Sequence, residues 1–109
     1  MQMTDKELDT AIAAKVYPKI TVKSINDRIA TVRFFVIPGT TTTLCYITMV
    51  NGFNFIGQSA CVDERNFDLS IGQEIAERDA LAKIWSYEGY LLAELYYQGS
   101  VRNGDVRAP

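Results

Sequence analysis

Between Thr42 and Ala60 apolar and polar residues do not alternate cleanly, and this shapes the whole reading of the fold. Residues 42–50 (TTLCYITMV) are β-branched and aromatic, and the Asn51-Gly52 pair that follows is the strongest short hairpin signal in the chain. Phe53 to Ala60 is the expected partner strand. With a two-residue turn, Val50 pairs with Phe53 and Cys45 with Gln58. One face of the hairpin then holds Leu44, Tyr46, Val50, Phe53 and Phe55, and the other holds Cys45, Ile47, Met49, Ile56 and Ala60. Neither face is polar, and a sheet apolar on both sides has to be covered on both. A C-terminal helix supplies one cover; N-terminal helices or another subunit supply the second.

Helical spacing brackets this hairpin. Thr4-Asp5-Lys6-Glu7 matches a capping box, and Leu8, Ile12 and Val16 follow at four-residue intervals, predicting a helix from Asp5 to Val16 that Pro18 closes. Thr21 caps a second short helix with Val22, Ile25 and Ile29 on one side. Arg33 to Ile37 (RFFVI) has strand composition, and Pro38-Gly39 turns the chain. Asp68 caps a helix from Leu69 to about Trp85. On a helical wheel Ile71, Ile75, Leu81, Ala82 and Trp85 form one stripe, with Leu69, Ala76, Ala80 and Ile84 nearly opposite, so this helix is expected to be buried on two sides. Gly72, Ala76 and Ala80 allow a neighbour to approach closely. A further helical pattern runs from Ser86 to Gln98, with Gly89 kinking or separating the two and Gly99 ending the second.

The fold class is therefore α+β: a small antiparallel sheet built on the hairpin 42–50/53–60, packed against C-terminal helices, with short helices in front. At 109 residues the chain has room for one domain, expected over residues 1–99, with a flexible tail over residues 100–109.

Composition removes several function classes. There is no histidine, which takes away the commonest general base and metal ligand together with every Ser-His or Cys-His arrangement. Cys45 and Cys61 cannot build a zinc site by themselves. In the expected register they sit on opposite sheet faces, so both are expected as free thiols. Neither a metal nor another cofactor is called for. No apolar run reaches the roughly 20 residues that span a bilayer. A net charge of −2 argues against general nucleic-acid binding, although residues 1–50 carry six Lys and Arg against four Asp and Glu, while residues 51–98 carry three against eight. A basic stripe is only half assembled from Lys15, Lys19, Lys23, Arg28 and Arg33. Glu74, Glu77 and Asp79 read as a solvated helix face, not as catalytic carboxylates.

Ser59-Ala60-Cys61-Val62, Asn66-Phe67-Asp68, Ile71-Gly72, Ile75-Ala76, Ile84-Trp85 and Glu88-Gly89-Tyr90-Leu91-Leu92 fall in order at spacings that resemble a family of small accessory proteins from N-four-like and Sf-six-like phages. Pro38-Gly39-Thr40-Thr41, followed by the Thr-rich strand, also fits. The likeness covers roughly residues 20–95. More loosely, the strand, the Asn-Phe loop and the following helix resemble a phage anti-defence group, the anti-Thoeris proteins, which sequester cyclic-nucleotide-type signals of bacterial immunity. The resemblance implies a non-enzymatic accessory protein of the host cytoplasm.

The residues that could serve such a role are few. Capture of a phosphorylated ligand needs N–H groups or cations for phosphate and an aromatic ring or amide for the base. Arg65, Asn66 and Phe67, lying just before a helix start, offer all of these. In a purely structural reading Asn66 shapes the turn, Phe67 staples the helix and Arg65 is solvated, while Asp63 and Asp68 repel phosphate. Arg78 sits at the centre of the Ile71/Ile75/Ala82/Trp85 stripe, where a buried guanidinium needs a ligand, a second subunit or Glu74 as its partner. Lys83 and Arg33 are weaker sources of positive charge. Trp85, Tyr87, Tyr90, Tyr96 and Tyr97 concentrate aromatic surface late in the chain, which favours a homo-oligomer. Two functions are expected from this set. The first is sequestration of a cyclic nucleotide or cyclic ADP-ribose-type ligand between subunits. The alternative is a module that binds and inhibits a host bacterial protein.

Overall fold

A computed structural model describes residues 4–14 and 18–99 of the chain. The elements run α1 (Asp5–Ala13), α2 (Val22–Asp27), β1 (Ile29–Val36), β2 (Thr43–Met49), β3 (Asn54–Ser59), a single 3-10 turn (Glu64–Asn66) and α3 (Leu69–Tyr97). This is the expected α+β arrangement. Residues 28–84 form one compact unit, and the segments before and after them form a second.

In the unit made by the chain ends, local capping sets the helices. Thr4 Oγ1 accepts from Glu7 N–H at 3.1 Å while Glu7 Oε1 accepts from Thr4 N–H at 2.8 Å, the reciprocal pattern that the sequence predicts. Thr21 and Ser24 repeat it at α2, each backbone N–H donating to the other's hydroxyl at 2.9 Å. Asp9 of α1 also accepts from Val22 N–H at 2.7 Å, so one helix caps the other. Ile29, expected on the second helix, begins β1 instead. The predicted extension of α1 to Val16 enters residues 15–17, and the predicted tail covers residues 100–109; both lie outside the described residues.

In the central unit the three strands are antiparallel in the order β1-β2-β3. The β2-β3 register differs by one residue from the expected one: Ile47 faces Phe55, Tyr46 faces Ile56 and Cys45 faces Gly57. The turn is the reason. Gly52 N–H donates to Met49 O at 2.9 Å, Met49 N–H donates to Phe53 O at 2.8 Å, and Gly52 holds φ +90°. Val50, Asn51 and Gly52 thus make a three-residue connection, a turn followed by a left-handed glycine, not a two-residue one. Asn51 Oδ1 accepts from Phe53 N–H at 3.0 Å and fixes it. A one-residue slip moves every β3 side chain to the other face. Phe55 joins Cys45, Ile47 and Met49, and Ile56 joins Leu44 and Tyr46.

The first of these faces is the core. Thr43, Cys45, Ile47, Met49 and Phe55 are buried there, as are Ala76, Ala80 and Ile84 of α3. Small residues bring helix and sheet together: a Cβ built on Gly57 would collide with the backbone of Ala76 and Ala80, and one on Gly72 would come within 2.8 Å of Thr43 Oγ1. The expectation that this helix is buried on two sides fails for its first half. Ile71 and Ile75 remain 57% and 50% exposed, with Ala82 exposed beside them. The expected break near Gly89 is also absent. α3 runs continuously from Leu69 to Tyr97, and Gly99, at φ +77°, ends it as predicted.

On the second sheet face Phe35 and Ile56 are 52% and 53% exposed, with Leu44 and Tyr46 half-buried between them. No element of the central unit packs over this face.

Candidate functional site

The segment after β3 is built by side chains that hold backbone. Thr41 Oγ1 donates to Cys61 O at 2.5 Å and accepts from Cys61 N–H at 3.1 Å, pinning the chain as it leaves the sheet. Asp63 then caps the 3-10 turn, its carboxylate accepting from Arg65 N–H at 2.9 Å. Asp68 caps α3, accepting from Ser70 N–H at 2.9 Å, Ser70 Oγ at 2.7 Å and Ile71 N–H at 3.2 Å. Ser59 Oγ donates to Gly72 O at 2.7 Å and joins strand end to helix start.

These contacts leave a cleft of about 150 Å³ lined by Thr41, Ser59, Ala60, Cys61, Asn66, Phe67, Asp68, Ile71, Gly72 and Ile75. A broader surface hollow of about 680 Å³ adjoins it, lined by Gly39, Thr40, Thr41, Cys61, Val62, Glu64 and Phe67. Thr41, Cys61 and Phe67 belong to both. Asn66 and Phe67 line the cleft beside the start of α3.

The cations are elsewhere. Arg65 has an 85% exposed side chain and grips Asp63 through Nη2 at 2.6 Å and Nε at 3.0 Å. Arg78 is also exposed and meets Glu74 at 3.3 Å, so the stripe expected to bury it is a surface and its partner is the in-helix carboxylate. Lys83 donates to Ile56 O at 2.5 Å and lies 3.9 Å from Asp79. Counted along the helix, Arg78 and Lys83 stand roughly 15 Å and 22 Å beyond Asp68. Asn66 and Phe67 line the cleft, whereas Arg65, Arg78 and Lys83 are engaged with Asp63, Glu74 and the Ile56 carbonyl.

The electrostatics agree. The hydroxyl of Ser70, followed by the N–H of Ile71, holds the Asp68 carboxyl below its usual range, and the Arg65 side chain does the same for Asp63. Asp68 is the carboxylate of the cleft lining, and Glu64 lines the hollow. Cys61 Sγ donates to Asp63 O at 3.1 Å. Cys45 lies in the core, where burial and then the charge of Glu77 push its thiol up to about 11. Both cysteines are free, as expected, although the expected reason fails. In the observed register Cys61 lies beside Thr41, roughly 13 Å along the ladder from Cys45, too far to bridge. Among the described residues no group of His, Cys, Asp and Glu is placed to hold a metal ion, and no helix is long and apolar enough to cross a membrane.

Two contributors to the hollow escape the sequence reading. Thr41 and Cys61 line both of its parts, and only the pairing of residues 20 apart in sequence reveals them. Asp63, expected to repel a phosphate, instead neutralises Arg65.

Comparison with known proteins identifies a family. The profile of the phage protein (N4 Gp49/phage Sf6 gene 66) family aligns with residues 3–95. No curated protein and no solved structure matches the chain.

Proposed function

The chain belongs to this phage protein family, and on that premise we propose that it acts in the host cytoplasm by binding a bacterial protein, not by chemistry. One observation carries the reading. The second sheet face, with Phe35, Leu44, Tyr46 and Ile56, is left uncovered by its own unit, and an apolar surface of this kind is what protein partners use. Arg33, next to Phe35 on the same face, adds a residue type enriched in interface cores. Affinity capture with the intact protein and with a Phe35→Asp/Ile56→Asp variant tests it. A stoichiometric host protein retained by the first and lost by the second supports the reading. Equal recovery by both variants overturns it.

A second reading, sequestration of a cyclic-nucleotide-type immune signal, draws on the hollow between Thr41, Cys61 and Phe67. Phe67 can stack a base and Asn66 can read its edge. The phosphate is the difficulty, because Asp68 and Glu64 line the hollow and, among the described residues, no cation does. A second subunit would have to supply that charge. Titration calorimetry against cyclic di- and trinucleotides and cyclic ADP-ribose isomers decides the matter, and silence across that panel removes the reading.

A further inference from the structure

The two edges of the sheet are finished differently. Ile37 N–H donates to Thr42 O at 3.0 Å, so residue 37 and, by alternation, Phe35 and Arg33 point their backbone groups toward β2. Val32, Phe34 and Val36 then aim their N–H and C=O groups away from the sheet. On β3 the outward residues are Asn54, Ile56 and Gln58, and side chains of α3 take one backbone group from each of the last two. Lys83 Nζ donates to Ile56 O at 2.5 Å, and Asp79 Oδ2 accepts from Gln58 N–H at 2.9 Å. β1 is the terminal strand on the other side, and among the described residues no strand pairs with its outer edge. Val32 and Phe34 are 39% and 36% exposed. A bare apolar edge strand is a template for another strand.

We propose that the outer edge of β1 is a self-association edge, on which a second copy of this chain adds its own β1, antiparallel across a two-fold axis. The strand's single charge rules out one symmetric register and favours another. Outward residues must pair with outward residues, which leaves few symmetric choices. An axis through residue 33 would set two Arg33 guanidiniums directly opposite each other, and like charges there are destabilising. An axis through residue 34 sets Phe34 against Phe34 and Val32 against Val36. It also sets Arg33 against the second copy's Phe35, and Phe35 against the second copy's Arg33. The first two pairings close an apolar seam on the helix side of the sheet. The other two lay a guanidinium by an aromatic ring on the open side. The segment is self-complementary in this register, as an isologous contact requires. The inference holds whatever the sheet face or the hollow binds.

Light scattering after size exclusion, with the full chain at micromolar concentration, tests it. The wild-type protein is expected at about twice its 12.2 kDa mass. Phe34→Lys places two ammonium groups face to face at the axis and is expected to weaken the dimer about tenfold or more. Phe35→Glu gives each Arg33 an opposite charge and is expected to keep the dimer. Phe34→Cys is expected to cross-link two chains on mild oxidation, because directly opposed hydrogen-bonded residues lie about 5.5 Å apart; the wild-type chain, which keeps Cys61, is the control. If Phe34→Lys does not fold by circular dichroism, the cross-link decides alone. A monomeric wild-type protein overturns the proposal, as does a Phe34→Cys chain that cross-links no better than the control.

Discussion

Gly57 lies under α3 so tightly that a single added methyl group would run into the carbonyl of Ala76 and the amide of Ala80. Neither obstacle is a side-chain tip that can swing aside, so strand or helix would have to move. Gly57→Ala is expected to destabilise the fold by about 3 kcal/mol, the upper end for overpacking. Urea unfolding should show it as a lowered midpoint with an unchanged slope.

Thr43 gives the opposite sign. Its side chain is fully buried and its hydroxyl has no hydrogen-bond partner among the described residues. An orphaned buried hydroxyl carries a desolvation cost that an isosteric methyl group does not. Thr43→Val should raise stability by about 1 kcal/mol in the same urea assay; a loss would mean that the hydroxyl is bonded after all.

Asp68 predicts a dependence on pH. Its carboxyl is held below the ordinary value of 3.8, first by the Ser70 hydroxyl and next by the Ile71 N–H. A carboxyl whose pKa is depressed in the folded state stabilises fully above its unfolded value, and this contribution disappears as pH falls through the folded value. The melting temperature should therefore drop as pH falls below about 3.8. Asp68→Asn should melt lower at neutral pH and show a shallower acid decline. Parallel acid curves for the two proteins would remove the carboxylate from the cap.

The two thiols should behave as different chemical species. Cys45 is buried with its thiol pushed up to about 11, whereas Cys61 is half-buried at the rim of the hollow. Thiolate is the reactive form. At pH 8 a maleimide should label one cysteine per chain, and peptide mapping should place the label on Cys61. Cys45 should react only after unfolding. Prompt labelling of both would mean that the core opens readily.

Asp79 and Lys83 test the closed edge. Asp79→Ala with Lys83→Ala leaves the Gln58 N–H and the Ile56 carbonyl without these partners. The double variant should aggregate faster than the wild-type protein on mild heating, with a gain in thioflavin signal.

Sequence pattern reaches some of this and misses the rest for identifiable reasons. The caps at Thr4, Thr21 and Asp68 and the glycine stop at Gly99 are local, so side-chain chemistry within four residues decides them. The hairpin is also legible, but its register is not. Asn51-Gly52 suits a two-residue turn and equally a longer one with Gly52 left-handed, and that difference of one residue exchanges Phe55 for Ile56 in the core. Gly89 looks like a break because glycine is a poor helix former, yet α3 carries it without interruption. At the hollow, Asn66 and Phe67 are found from their place before a helix. Thr41 is not, because its role depends on a partner 20 residues away.

The side chains of Lys83 and Asp79 have a consequence for how large a strand-paired assembly of this protein can become. With two backbone groups of one sheet edge held by the chain's own helix, strand-to-strand joining is favoured on the other edge. Such growth stops at two chains, because a joined pair presents a guarded flank at each end and has nothing left to extend. A molecule with both flanks bare would polymerise into a fibre.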